Sequence, residues 1–184
     1  KRYNEALSKL ASTNIYIEDN ASITAPEIKA KCRRLASTPN GLGLVVIDYL
    51  QLVTTGSNRV ESRQVEVSEI SRSLKTMALE LDVPVIALAQ LSRSVDKREN
   101  KEPALVDLRE SGSLEQDADL VLFLNRKDYY EAKSEKKEII VPIDVIIAKH
   151  RKGSTGLYRL LFELNMSNFK NYLHTENNEG GNYA

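Results

Sequence analysis

The sequence contains one cysteine, Cys32, and two histidines, His150 and His174. That scarcity excludes an intramolecular disulfide framework and any cysteine-rich zinc site, and it leaves little for a histidine-based metal centre. Net charge is missing too. The 26 basic residues offset 26 acidic ones, so local clusters would have to hold any polyanion. The longest apolar runs, around residues 42–52 and 83–91, are too short to span a bilayer and are interrupted by Asp48 and Gln90. No basic-then-apolar leader opens the chain, so no secretion is implied. With eight glycines in all, no G-x-x-x-x-G-K-[ST] phosphate-cradling loop occurs. What remains is ordinary for a globular protein: 184 residues, 41% hydrophobic and 28% charged, enough for one domain with a real core. The chain starts at Lys1 without methionine, so a processed product or an excised piece is expected.

Residues 1–11 read as the end of a helix, and 14–18, with Ile15 and Ile17 on one face, as a short strand. Thr24-Ala-Pro-Glu27 is a capping box with proline in the first turn, which predicts a helix over 25–37. Its Lys29, Lys31, Arg33 and Arg34 are expected to form a solvated face. Residues 43–50 carry a continuous β-branched run up to Asp48, as expected for a strand covered on both sides. After a polar loop over 54–63, Val67, Ile70, Leu74, Met77 or Ala78, and Leu81 fall three and four apart, which predicts a long amphipathic helix. Further buried strands are expected at 85–89, 120–124 and 145–148, ending at Gln90, Asn125 and Lys149. A short helix leads to Arg109-Glu-Ser-Gly-Ser113, and Ser113-Leu-Glu-Gln116 reads as a second capping box. The C-terminal part is expected to hold a loop or hairpin at 126–138, an antiparallel hairpin from 158–164 and 169–173, and a disordered tail over 175–184.

Strand, helix and strand at this spacing imply a mostly parallel sheet with right-handed crossovers, whose ligands bind beyond the carboxyl ends of the strands. Asp48, Gln90, Asn125 and Lys149 all close strands, an arrangement that suits a site, although capped strand ends facing water would give the same letters. A carboxylate at Asp48 suits a hydrated magnesium ion shared with a nucleotide, because magnesium keeps its waters and takes few protein oxygens. Tyr49 follows, so this strand supplies no adjacent carboxylate to polarise an attacking water. Cys32 reads as a small packed side chain without a base nearby.

The runs VVIDYLQL at 45–52, QVEVSEISR at 64–72, VPVIALAQLSR at 83–93 and RESGSLEQDAD at 109–119 together resemble the C-terminal motor domain of the DnaB family of hexameric replicative DNA helicases. The resemblance implies an α/β, RecA-like fold, mostly parallel and ending in an antiparallel hairpin, over residues 1–174. It covers only the later two thirds of that motor. The family's phosphate loop and catalytic glutamate would lie upstream, so this chain alone is expected to be inactive. By resemblance, Asp48 is the residue that holds magnesium through water, and Gln90 is the polar sensor of the γ-phosphate of ATP. Lys149 and Arg151 are the pair that reaches the next protomer's nucleotide. A strand-capping Gln90 and a surface cluster at Lys149 and Arg151 remain the plainer alternatives. The loop of Arg109, Glu110, Ser111 and Gly112 resembles a DNA-binding loop, whose backbone amides and arginine take phosphates without reading bases. The 54–63 loop, with Arg59 and Arg63, resembles a second channel loop. Arg72 and Arg93 lie within the matching runs but could equally pair with carboxylates at subunit contacts. His150 and Lys152 stand where relatives often have Gln and Asn. The implied partners are single-stranded DNA, further copies in a homo-hexamer, a primase and a helicase loader, in the cytoplasm and with no membrane. A catalytically silent RecA-like module and a recombination or repair ATPase are the other readings.

Overall fold

Thr24 is where the first buried helix begins. In the computed structural model, which describes residues 2–20, 22–56, 62–92, 95, 98, 100–127 and 139–172, its hydroxyl accepts the Glu27 amide. The Glu27 carboxylate accepts the Thr24 N–H at 2.8 Å in return. That reciprocal cap satisfies two orphan donors of α2 (Ala25–Ala36) and holds the Glu27 carboxyl below its ordinary range. A helix α1 (Arg2–Ala11) precedes it. The expected strand at 14–18 does not form: the segment is irregular, with Ile15 and Ile17 64% and 88% exposed. A strand needs a neighbour to complete its ladder, and none of the described strands pairs with this segment.

The chain divides into two compact units, Lys1–Arg93 with Val106–Ala118, and Ser94–Leu105 with Asp119–Ala184. In the first unit, β1 (Val45–Ile47) and β2 (Val85–Ala87) pair in parallel, with Val46 opposite Ile86. The long helix α3 (Arg63–Leu81) buries Val67, Ile70, Leu74 and Met77, as its spacing predicts. Ser62 caps it by accepting the Val65 amide at 3.3 Å, and Asp82 ends it in the left-handed region. Ile28 and Cys32 of α2, Ile47 of β1, and Leu50 and Val53 join Ile70, Leu74 and Met77 in one core. Full burial of each large side chain contributes roughly 1.5–3 kcal/mol. Burial pushes the Cys32 thiol up, which keeps it an inert packing group.

The basic face of α2 is only partly solvated. Lys29 and Arg33 both pair with Glu80 of α3, and Lys31 pairs with Glu18. These cations hold the Glu80 and Glu18 carboxyls below their usual range. Such largely exposed pairs add little stability.

Among the described residues, the expected double cover of β1 and β2 is not found. Val46, Ile86 and Leu88 are 57%, 52% and 44% exposed, while the alternate face packs on the core. Further along, a 3-10 turn over Leu105–Ser111 runs directly into α4 (Gly112–Asp117). Ser113 therefore falls inside the helix rather than at its cap, and its hydroxyl finds no hydrogen-bond partner among the described residues. The expected second capping box does not form. α4 is tied to α3 instead, by the buried Ser71 hydroxyl donating to Asp117 at 2.7 Å.

The second unit is a four-stranded antiparallel sheet, β3 (Leu120–Asn125), β4 (Ile140–His150), β5 (Gly156–Glu163) and β6 (Asn168–Asn171), in that order. The β5–β6 hairpin forms as expected, and the antiparallel region begins earlier, at the β3–β4 pair. β3 is covered on one face only, with Val121 and Phe123 buried and Leu122 and Leu124 exposed. The expected loop at 126–138 and tail at 175–184 fall largely or wholly outside the described residues.

Asp144 on β4 is 4% exposed and accepts from Arg159 at 2.8 Å, with Lys127 at 3.5 Å. The Arg159 hydrogen bond, then the charges of Arg159 and Lys127, outweigh burial and hold its carboxyl below the ordinary range. A depressed carboxyl stabilises the fold above its unfolded value and loses that contribution as pH falls through the folded value. Asp144→Asn should therefore cost about 1–2 kcal/mol at neutral pH, and the gap to the parent should close below about pH 4. Denaturant unfolding at both pH values checks it; a gap that persists in acid would contradict the ion-pair account.

Candidate functional site

Asp48 stands one residue past β1, where the strand has released its side chain to solvent. Its carboxylate is exposed and has no hydrogen bond or ion pair among the described residues. The Asp48–Tyr49 peptide is cis, and a 3-10 turn over Leu50–Leu52 follows. Two hydrogen bonds extend the β1–β2 contact past the strand ends: Leu88 donates to Ile47 at 2.9 Å, and Leu50 donates to Leu88 at 2.9 Å. Because the strands are parallel, their carboxyl ends coincide, and Asp48 and Gln90 share that edge as expected.

Gln90 is exposed, and its main chain is held by one side chain. Gln51 donates its amide N–H to the Gln90 carbonyl at 3.2 Å, while its amide oxygen accepts the Gln90 N–H at 3.3 Å. The Gln90 side chain itself has no hydrogen bond among the described residues.

Lys149 and Arg151 belong to the other unit, at the end of β4. Lys149 stands opposite Val121 and His150 opposite Leu120. The Arg151 N–H continues the ladder to the Asp119 carbonyl at 2.8 Å, and its guanidinium meets the Asp119 carboxylate at 2.9 Å. The register slips between Val121 and Leu122, whose partners are Lys149 and Ile147, so Ala148 is an extra residue just before the cations. A bulge there re-aims the strand's end. In the turn beyond, a Cβ on Gly153 would collide with the His150 ring, so only glycine fits without displacing that ring.

Asn125 leaves the expected constellation. β4 runs antiparallel to β3, so Asn125 lies opposite Asp144, at the far end of the sheet from Lys149, and it is buried. Among the DNA-loop candidates, the backbone of Arg109 and Glu110 ends the 3-10 turn and Gly112 opens α4. Their side chains lie outside the described residues, as do Arg59 and Arg93. Arg63 is described, and it binds the protein's own main chain: it donates to the carbonyls of Gln51 at 2.8 Å and Val53 at 3.3 Å. Arg72 is exposed on α3. Gln51, Asp119 and the bulge are not signalled by the sequence. Gln51 and Asp119 each lie within a matching run, but Gln51 bonds main-chain groups and Asp119 pairs with a residue distant in sequence, which no local pattern announces.

The fold is that of a RecA-like ATPase domain. The chain superposes on a solved ATPase domain with a TM-score of 0.81, at 47% identity, covering 92% of this chain and 59% of that one. A structure of a DnaB-like replicative helicase and its interactions with primase gives the same score and identity, with 41% of that chain covered. Residues 1–171 match the DnaB-like helicase C terminal domain, and the chain belongs to that family. It is 54% identical over 166 residues to the replicative DNA helicase DnaB of Geobacillus stearothermophilus, and 51% identical over 166 residues to the replicative DNA helicase DnaC of Bacillus subtilis. Each match takes in 90% of this chain, which spans 36% of either relative's length. Among the described residues, no helix is long and apolar enough to cross a membrane.

Proposed function

We propose that this chain is the later part of the motor domain of a hexameric replicative DNA helicase that couples ATP hydrolysis to movement along single-stranded DNA and duplex unwinding. The observation that carries the reading is the placement of Asp48 and Gln90 past the carboxyl ends of a parallel pair, in a chain matching the helicase family over residues 1–171. ATP lies between adjacent subunits. One subunit contributes Asp48 and Gln90 together with an upstream phosphate loop, and its neighbour contributes Lys149 and Arg151. The chain by itself, without a phosphate loop, is inactive. The bare apolar face of Val46, Ile86 and Leu88 fits a motor in which more of the polypeptide packs over β1 and β2.

The residues fit magnesium. Asp48 is exposed and unpaired among the described residues, and no trio of acidic, histidine or cysteine ligands there forms a protein cage. Asp48 would hold the ion through water, the remaining ligands being water and phosphate oxygens. When bound, magnesium neutralises charge on the phosphates. The Gln90 amide donates to a phosphate oxygen or accepts from water, so its bonding changes when the γ-phosphate leaves. Lys149 supplies a compact charge, and Arg151 supplies a planar fork to the charge-spread transfer state. Movement on DNA then follows from a shift among a few subunit arrangements. Primase and loader contacts and a cytoplasmic site of action complete the proposal.

ATP-dependent unwinding of a forked duplex by the full-length protein tests the reading. Hydrolysis without unwinding would favour a recombination-type ATPase, and neither activity would favour a silent module. Arg109→Ala should weaken single-strand binding about equally for all sequences, and flatten its salt dependence by about 0.7 for each phosphate that is no longer neutralised. A loss confined to particular sequences would contradict backbone recognition.

A further inference from the structure

We propose that Gln51 is a positioning residue for Gln90: its side-chain amide replaces the missing strand rung beyond β2 and fixes the backbone from which the phosphate-sensing side chain departs. The inference rests on the reading of Gln90 as the sensor. β2 ends at Ala87, three residues before Gln90, and Gln90 is exposed. An unladdered residue there would sample several backbone conformations, each sending its side chain elsewhere. The Gln51 amide engages both main-chain groups of Gln90, as donor at 3.2 Å and acceptor at 3.3 Å. Only a side-chain amide carries donor and acceptor in one plane at this reach; a carboxylate can only accept, and an asparagine is one methylene shorter.

Gln51 is itself fixed. Its neighbours Leu50 and Val53 are 1% and 2% exposed and lock the turn into the core. The Arg63 guanidinium donates to the Gln51 carbonyl at 2.8 Å and to Val53 at 3.3 Å, and also pairs with Glu66. Glu66 in turn accepts the Thr55 N–H at 3.2 Å. The first turn of α3 thus clamps the 51–55 main chain, and that segment clamps Gln90. The same turn follows Asp48 directly, and Leu50 donates to the Leu88 carbonyl. Asp48 and Gln90 are therefore set in one frame, and Gln51 is the side chain that joins its two halves. Arg63 also ends the 54–63 loop, so displacement of that loop's base would reach Gln90 through Gln51.

The test is a double-mutant cycle in the full-length protein, reading ATP turnover with saturating single-stranded DNA. Gln51→Met keeps the length of the side chain and removes both hydrogen bonds. It should lower kcat about tenfold while leaving the KM for ATP within about twofold. In a Gln90→Ala background it should cost nothing more, because the residue it positions is gone. Gln51→Glu, which keeps the acceptor, should lose only about threefold, and it serves as the second variant if Gln51→Met fails to assemble. Effects that multiply across the cycle, or a parallel rise in KM, would mark Gln51 as a general packing residue and overturn the inference. A parent-like Gln51→Met beside an impaired Gln90→Ala would overturn it alone. A parent-like Gln90→Ala would remove the sensor reading and the inference together.

Discussion

Replacing Arg151 with alanine in the full-length protein should cut ATP turnover on the order of a thousandfold or more, while nucleotide affinity changes little. The transferring phosphoryl group spreads charge over its oxygens, and a guanidinium fork meets two of them at once, an interaction strongest in the transition state. Arg151 makes two bonds to Asp119: its N–H on the Asp119 carbonyl at 2.8 Å and its guanidinium on the Asp119 carboxylate at 2.9 Å. Both side chains are about half exposed, at 49% and 59%. A pair in that setting is weak, so giving up the Asp119 carboxylate would itself cost the guanidinium little while the backbone ladder stays in place. Arg151→Lys should recover part of the rate, since charge survives and the fork does not. Rings mixed from parent and Arg151→Ala subunits should lose activity at each boundary that the variant faces. Steady-state kcat and a nucleotide titration on the same preparations separate chemistry from binding, and unchanged turnover would take Arg151 out of the site.

How much of this was legible depended on whether a feature is local. The Thr24 cap, the α3 stripe and the packed Cys32 need only residues within a few positions, and each forms as read. The strand at 14–18 needed a partner that no local pattern supplies, and it is irregular. The apolar runs of β1 and β2 implied two covered faces, but hydrophobic letters state a need and do not guarantee that the cover is present. Strand direction is equally silent, because a buried strand reads the same whether its neighbour is parallel or antiparallel. Asn125 and Lys149 therefore both read as strand ends of one edge, although the antiparallel register puts them at opposite ends. Ser113 carried the letters of a cap, but the preceding 3-10 turn had already begun the helix. Within the site, Asp48 and Gln90 were visible because polar residues closing apolar strands stand out. Gln51 and Asp119 do not stand out, since Gln51 bonds main-chain atoms that every residue possesses and Asp119 pairs with an arginine distant in sequence.

Asp48→Asn should lower turnover in the full-length protein about a hundredfold or more and raise the magnesium concentration needed for half-maximal rate. The shape of the side chain is kept and one negative charge is removed. Two observations make that charge decisive. The carboxylate has no hydrogen bond or ion pair among the described residues, so its replacement breaks no structural bond there. No cluster of three potential metal ligands exists among those residues, so none forms a protein cage that would hold the ion without Asp48. Magnesium, if held mainly by water and phosphate, would depend on the negative charge that Asp48 supplies. Thermal stability of the Asp48→Asn protein without nucleotide should match that of the parent, which separates a ligand role from a packing role. Turnover titrated with magnesium at fixed ATP reads the shift directly. An unchanged magnesium requirement would reduce Asp48 to a strand end facing water, and the nucleotide site would have to be sought at another edge of the sheet.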